Sequence, residues 1–118
     1  MKVLIIDDSS QMRREVRLFV RDLAEEITEC SDGSEALAAY AAQRPDWVLM
    51  DIMMPGVDGL TATRQIKAAH PEANVLILTG YDDTELKVAA ANAGACEYVT
   101  KENLHQVKRI LESSIASC

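Results

Sequence analysis

The chain has 118 residues, of which 48% are hydrophobic and 26% charged, and its formal net charge is −7. This length and composition predict one globular domain, residues 1–118, with a core that needs no disulfide or metal to hold it. The acidic balance argues against direct binding to nucleic acid, which requires a basic face. No apolar stretch approaches the roughly 20 residues of a transmembrane helix. The first residues also lack a signal-peptide pattern, so we expect a cytoplasmic protein.

Five short apolar runs predict buried strands. The first covers residues 3–7, and the central one, from Trp47 to Met50, is apolar at every position and bounded by Pro45 and Pro55. Runs of this kind suit strands that are buried on both faces, as in a parallel sheet. The complete set of predicted strands covers residues 3–7, 26–31, 46–51, 74–80 and 95–100.

Amphipathic or alanine-rich segments separate the strands and predict helices. The first carries an apolar stripe at helical spacing, formed by Met12, Val16, Phe19, Val20 and Leu23. The last carries a similar stripe, formed by Leu104, Val107, Leu111 and Ile115. Acids or an amide precede the other helix starts and predict N-terminal caps, namely Asp32 with Glu35, Asp58, Asp82 with Glu85, and Asn103 with Gln106. Gly94 predicts the end of the fourth helix.

Strands that alternate with helices predict a parallel sheet with helices on both of its faces. We therefore expect an α/β fold, a three-layer sandwich of five strands and five helices. In sheets of this class, binding sites lie at the carboxyl ends of the strands. The residues at those ends are the first candidates for function.

Polar residues follow four of the predicted strands: Asp7 and Asp8, Asp51, Thr79 and Lys101. Each alone has a simpler explanation, since the two first acids can cap a helix and the lysine can be a surface charge. Three converging carboxylates, however, raise one another's pKa unless a cation lies among them, and hard oxygen ligands suit Mg²⁺. A lysine and a hydroxyl bind phosphoryl oxygens, and a carboxylate can attack phosphorus. Together the five residues predict a phosphoryl-transfer site.

These five residues, with the turn at 55–59 behind Asp51, closely resemble the receiver domain of two-component response regulators. The resemblance covers the whole chain, with the residues in the receiver order and at receiver-like separations. It implies a flavodoxin-like sheet of five parallel strands in the order 2-1-3-4-5. It also implies a switch in signalling, operated by phosphorylation.

The resemblance assigns the chemistry to particular residues. Asp51 would accept a phosphoryl group from a sensor histidine kinase or a phosphotransfer protein. Asp7, Asp8, Asp51 and the backbone carbonyl of Met53 would hold the cofactor Mg²⁺. A receiver catalyses only its own phosphorylation and dephosphorylation, so we do not expect an enzyme with a separate substrate.

Further positions follow from the same resemblance. Thr79 and Lys101 would bind phosphoryl oxygens, and Thr79 and Tyr98 would form the conformational switch. Met53 and Tyr81 stand two residues after Asp51 and Thr79, at positions that flank the attacking water in receivers. Both side chains are bulky, which predicts slow hydrolysis of the aspartyl phosphate.

The resemblance also implies partners. The face made by the fourth helix, the fifth strand and the fifth helix would contact an output domain or target protein, and phosphorylation would favour a homodimer through it. Receivers usually carry a proline after the lysine, where this chain has Glu102, so we expect a trans peptide there and an altered loop. Some receivers attached to helix-turn-helix output domains also lack that proline, which favours such a parent protein. A stand-alone receiver remains the alternative.

Two other functions compete with this interpretation. One is a receiver-like interaction module that no longer takes phosphate, although that loss would be signalled by a change at Asp51 or Lys101. The other is a phosphohydrolase of the haloacid dehalogenase type, which also uses an aspartate nucleophile at a strand end. That class requires an acid two residues after the first one, and Ser9 stands where that acid would follow Asp7.

Overall fold

The structure, a computed structural model, describes residues 1–113. Within this range the strands are β1 (Lys2–Ile6), β2 (Glu26–Cys30), β3 (Trp47–Met50), β4 (Val75–Thr79) and β5 (Glu97–Thr100). The α-helices are α1 (Ser10–Val20), α2 (Ala36–Gln43), α3 (Gly59–Ala69), α4 (Thr84–Ala93) and α5 (Leu104–Glu112). Short 3₁₀ turns, Gly33–Glu35 and Lys101–Asn103, lead into α2 and α5. The predicted place of Ile115 in the last helix lies outside the described residues.

The five strands form one parallel sheet in the order β2-β1-β3-β4-β5, as expected. β1 and β3 are neighbours, with Ile6 opposite Met50 in the register. The ladder continues one residue further, because the amide of Asp51 donates to the carbonyl of Ile6 at 2.9 Å. The register therefore brings the residues that follow β1 and β3 to the same edge of the sheet.

Side chains of alternate strand residues enter two separate cores. Val48 and Met50 of β3 pack with α2, α3 and α4, whereas Trp47 and Leu49 pack with α1 and α5. Every residue of β3 is buried, which explains its unbroken apolar pattern. Burial of a side chain of this size stabilises the fold by about 1.5–3 kcal/mol. Among residues 1–113, no helix combines the length and the apolar character needed to cross a bilayer.

The apolar stripe of α1 is narrower than predicted. Val16 and Val20 are fully buried, and Met12 and Leu23 pack at the margin of the core. Phe19 is 39% exposed and lines a groove between α1 and α5. Its inclusion in the buried stripe was wrong, because Phe19 lies in the open groove beside α5 rather than beneath that helix.

The predicted caps are partly confirmed. The side chain of Asp58 accepts from the amide and hydroxyl of Thr61 and begins α3, and Gly94 ends α4 in the left-handed region at φ 106°. The cap of α4 is Asp83 rather than Asp82. Asp82 instead forms a salt bridge with Lys87 of α4 at 2.8 Å.

Three further details concern the helix starts. Ser9, not the preceding acids, caps α1 by accepting from the amide of Met12 at 3.1 Å. Asn103 does not cap α5 through its side chain, which donates to the hydroxyl of Thr100 instead. The peptide between Lys101 and Glu102 is trans, as expected.

Candidate functional site

Three carboxylates meet at the carboxyl edge of the sheet. Asp7 follows β1 and Asp51 follows β3, and both are buried, whereas Asp8 is exposed. One oxygen from each of the three lies within 4.8 Å of the others. The sequence prediction that these acids converge is therefore confirmed, and they form a cluster with the chemistry of a hard-cation site.

Lys101 reaches into this cluster from the end of β5. Its ammonium lies 2.9 Å from Oδ2 of Asp7 and 3.4 Å from Oδ1 of Asp51. Only 20% of the lysine side chain is exposed. The ammonium of Lys101 therefore bridges two buried acids. Within residues 1–113, it is the only salt-bridge partner of either acid.

The charges of the cluster perturb one another. Burial raises the pKa of Asp51 from its ordinary value of 3.8 to about 6, and the charge of Asp7 adds to the rise, while Lys101 opposes it. Burial lowers the pKa of Lys101, but hydrogen bonding to Asp7 and attraction to Asp51 outweigh it and raise the pKa overall. Ionisation of Asp51 therefore costs more free energy in the folded protein than in water, as is typical of functional carboxylates.

The acidic cluster fits a bound metal ion. Ligands of an octahedral Mg²⁺ lie at about 2.1 Å from the ion, so opposite ligands are about 4.2 Å apart. The 4.8 Å limit on the oxygens of Asp7, Asp8 and Asp51 is close to that span. Carboxylate oxygens are also the ligands that such ions prefer. These three acids can therefore hold a metal ion together.

Gly59 allows α3 to begin directly beneath Asp51. A Cβ at this position would lie 1.9 Å from the carbonyl oxygen of Asp51, far inside contact distance. The amide of Gly59 donates to the carbonyl of Ile52 at 2.8 Å. The absence of a side chain lets the backbone close the turn that fixes Asp51.

Thr79 stands at the end of β4, beside β5. It is fully buried and lies opposite Thr100 in the register, so it is one residue from the strand position of Lys101. Its hydroxyl accepts a hydrogen bond from the amide of Tyr81 at 3.4 Å. The sheet thus places Thr79 at the same edge as the lysine.

Tyr98 and Tyr81 are linked to each other. The hydroxyl of Tyr98 donates to the backbone carbonyl of Tyr81, and the ammonium of Lys87 lies 5.8 Å from the centroid of the Tyr98 ring. The side chain of Tyr81 is 54% exposed and that of Met53 is 50% exposed. The contact connects β5 to the loop after Thr79.

Sequence reasoning missed a set of charged residues on the far side of Asp7. Arg13 of α1 donates to the carbonyl of Asp7 at 2.6 Å and to Glu29 of β2 at 2.9 Å. Arg17 pairs with the other oxygen of Glu29 at 2.8 Å. The only signal in the sequence was the row of arginines off the apolar stripe of α1, which does not identify their partner.

Known proteins resemble this chain along most of its length. A profile of the family described as "Response regulator receiver domain" matches residues 3–112. The "Probable transcriptional regulatory protein TcrX" of Mycobacterium tuberculosis is 38% identical over 99 residues, which cover 84% of this chain and 42% of TcrX. The "DNA-binding transcriptional regulator NtrC" of Salmonella typhimurium is 35% identical over 115 residues, covering 97% of this chain and 24% of NtrC. The chain thus spans less than half the length of either relative.

A solved structure agrees with these relatives. The structure of a two-component response regulator of the LuxR family from Aurantimonas matches with a TM-score of 0.83 and 30% sequence identity. The match covers 94% of this chain and 84% of that one. The profile, the relatives and the solved structure all point to the same family. The chain belongs to the response regulator receiver domain family.

Proposed function

We propose that Asp51 is the phosphoacceptor of this receiver domain and takes its phosphoryl group from a histidine of a partner kinase or phosphotransfer protein. The observation that carries the proposal is the position of Asp51, a buried carboxylate flanked by two further acids and by the ammonium of Lys101. A buried acid with a perturbed pKa at the carboxyl edge of a parallel sheet is a strong candidate for chemistry.

The reacting form of Asp51 is the carboxylate. With a pKa of about 6, roughly nine-tenths of the molecules carry it ionised at pH 7. One carboxylate oxygen forms a bond to phosphorus while the bond between phosphorus and the donor nitrogen breaks, and the imidazole leaves with the electron pair of that bond. Burial keeps the nucleophile poorly solvated and in a fixed direction.

Asp7, Asp8 and Asp51, with the backbone carbonyl of Met53, are the proposed ligands of Mg²⁺. A bound Mg²⁺ supplies positive charge that offsets the repulsion among the acids and the charge on the phosphoryl oxygens. The donor set supports this choice, since hard oxygen ligands next to a phosphoryl site are typical of Mg²⁺. Backbone hydrogen bonds hold two of these acids in place, from the amide of Asp7 to the carbonyl of Cys30 and from the amide of Asp51 to the carbonyl of Ile6.

Lys101 and Thr79 are the proposed binding groups for the phosphoryl oxygens. The ammonium of Lys101 already lies 3.4 Å from Asp51, so it is placed to pair with a dianion attached there. Among residues 1–113, the hydroxyl of Thr79 takes part in one long hydrogen bond, which it accepts from the amide of Tyr81. Its own proton would therefore be available to a new acceptor. A movement of Thr79 would disturb the loop that accepts the hydroxyl of Tyr98.

The proposed consequence is a change in population between two conformations, biased by the new charge. The partner that recognises the phosphorylated conformation would contact the face made by α4, β5 and α5. This partner would be an output domain, a target protein or a second copy of the chain. The longer relatives that carry transcriptional regulator names support an output domain. The chain would act in the cytoplasm and modify only itself.

Incubation with acetyl phosphate and Mg²⁺, followed by intact-mass measurement, tests the proposal. We expect one phosphate adduct of the wild-type protein that hydroxylamine removes. Asp51→Asn should give no adduct, whereas Asp58→Asn, which changes a helix cap outside the cluster, should retain it. An equal adduct in Asp51→Asn would overturn the assignment, and no adduct in any variant would favour an interaction module that does not take phosphate.

A further inference from the structure

Asp7 is held at all of its polar atoms. Its amide donates to the carbonyl of Cys30 at 3.1 Å, one carboxylate oxygen accepts from the amide of Ser9 at 2.9 Å, and the other contacts Lys101. Its carbonyl oxygen accepts the 2.6 Å hydrogen bond from Arg13. The last of these contacts serves no role in the proposed phosphoryl transfer, and it is a short, charge-assisted hydrogen bond.

The carbonyl of Asp7 is joined directly to the backbone of Asp8. The carbonyl oxygen of Asp7 and the amide of Asp8 belong to one planar peptide unit, so fixing the oxygen also fixes the plane from which Asp8 departs. Asp8 is exposed, and packing therefore does little to hold it. The guanidinium of Arg13 is thus a determinant of where the carboxylate of Asp8 lies relative to the other two acids.

Arg13 is itself fixed by a second carboxylate. Its Nε lies 2.9 Å from Oε1 of Glu29, and only 17% of its side chain is exposed. The other oxygen of Glu29 accepts from Arg17 at 2.8 Å. Burial raises the pKa of Glu29, but its hydrogen bonds to Arg17 and Arg13 outweigh this and lower the pKa, so the anion that anchors the guanidinium stays ionised. The planar fork of arginine suits this bridging role.

We propose that Arg13, anchored by Glu29, is a positioning residue for the metal site of this receiver. It joins α1 and β2 to the peptide between Asp7 and Asp8 and holds the Asp8 carboxylate at ligand distance from Asp7 and Asp51. The inference rests on the proposed function, because it assumes that these acids bind Mg²⁺. Outer contacts of this kind typically change metal affinity by about 10- to 100-fold when they are removed.

The test measures Mg²⁺ affinity directly by calorimetry and follows the acetyl phosphate reaction over a range of Mg²⁺ concentrations. Arg13→Met should weaken Mg²⁺ binding by about 10-fold, while the reaction rate at saturating Mg²⁺ stays within about twofold of the wild-type rate. Arg14→Met, at an exposed neighbouring position, should change neither. Arg13→Lys should fall between, because lysine can reach one partner but cannot bridge two.

Two further variants keep the test informative if Arg13→Met folds poorly. Glu29→Gln keeps the guanidinium of Arg13 but removes the charge that anchors it. It should weaken Mg²⁺ binding by about threefold, which is less than the effect expected for Arg13→Met. Arg17→Met should have a smaller effect, since Arg17 does not touch the peptide of Asp7. An unchanged Mg²⁺ affinity in folded Arg13→Met and in Glu29→Gln would overturn the inference, as would a lower rate at saturating Mg²⁺ with unchanged affinity. Absence of Mg²⁺ binding in the wild-type protein would instead overturn the proposed function beneath it.

Discussion

The ammonium of Lys101 lies 2.9 Å from Oδ2 of Asp7, and both side chains are largely removed from solvent. The lysine comes from the end of β5 and the acid from the end of β1, so the contact spans the sheet across β3 and β4. The contact holds the ammonium of Lys101 beside Asp51, where it would pair with the negative charge of a phosphoryl group. The Lys101–Asp7 pair therefore positions the lysine side chain without any bound ligand.

Removing the charge of Lys101 should destabilise the protein in a pH-dependent way. Lys101→Met leaves Asp7 and Asp51 without their bridge, and we expect a loss of about 2 kcal/mol at pH 7 in EDTA, below the full cost of a broken buried pair because the lysine is partly exposed. The loss should shrink at pH 4.5, where Asp51 is protonated. Urea unfolding at the two pH values measures both effects.

Lys108→Met is the matched control for that experiment. Lys108 pairs with Asp22 at 4.0 Å on the surface, with side-chain exposures of 38% and 75%. Exposed pairs of this kind contribute little to stability. A loss as large in Lys108→Met as in Lys101→Met would contradict the role of the buried bridge.

Asp51 should destabilise the metal-free protein at neutral pH. Its pKa is about 6 in the folded state, above the ordinary value, so the folded state binds more protons than the unfolded state between about pH 4 and pH 6. Stability from this group is therefore lost as pH rises through that range, by about 3 kcal/mol in total. Asp51→Asn should raise the free energy of unfolding at pH 7 in EDTA, and raise it less at pH 4.5. An equal gain at both pH values would contradict this explanation.

Gly59→Ala should damage the site through the backbone. The added Cβ would meet the carbonyl of Asp51 at 1.9 Å, and the clash requires movement of α3 or of Asp51 itself. We expect a loss of about 3 kcal/mol or more, in line with severe overpacking, and a reduced rate of phosphorylation. Gly80→Ala is the control, because a Cβ there meets nothing within 4 Å. Similar stability of the two variants in thermal unfolding would count against the close approach.

Hydrolysis of the aspartyl phosphate should be slow and should quicken when the bulky neighbours are reduced. Met53 and Tyr81 are each about half exposed, so replacing them perturbs the fold little. We expect Met53→Asn and Tyr81→Ala to lose phosphate severalfold faster than the wild-type protein, since water reaches the acyl phosphate more easily. The decay of the adduct mass after removal of acetyl phosphate measures the rate. Unchanged hydrolysis rates in both variants would contradict the prediction that Met53 and Tyr81 slow the reaction.

Local pattern was sufficient to predict a parallel sheet and the polar residues at its carboxyl edge, whereas the strand order came from the resemblance to receivers. A strand that is buried on both faces must be apolar throughout, so the end of such a run, as at Met50 before Asp51, marks where the chain leaves the sheet. In a parallel sheet every such end lies at the same edge. The alternation of strands and helices therefore places Asp7, Asp51, Thr79 and Lys101 at one edge, and the strand order then brings them close together.

Features that depend on how elements pack were not predictable in the same way. Phe19 has the spacing of a core residue, but the width of the buried stripe depends on which side α5 covers. Asp82 and Asp83 are adjacent and chemically equal, so the sequence does not distinguish the cap of α4 from its neighbour. The bridge from Arg13 to Glu29 requires both the rotation of α1 and the register of β2, which no short-range pattern contains.

The most direct test of the central claim is to locate the phosphate on the chain. Borohydride reduces an aspartyl phosphate to homoserine, and tandem mass spectrometry of the digested protein then identifies the reduced position. After treatment with acetyl phosphate and Mg²⁺, we expect homoserine at residue 51 and aspartate retained at positions 7, 8 and 58. Reduction at one of those other acids, with residue 51 unmodified, would contradict the account of Asp51 as the phosphoacceptor.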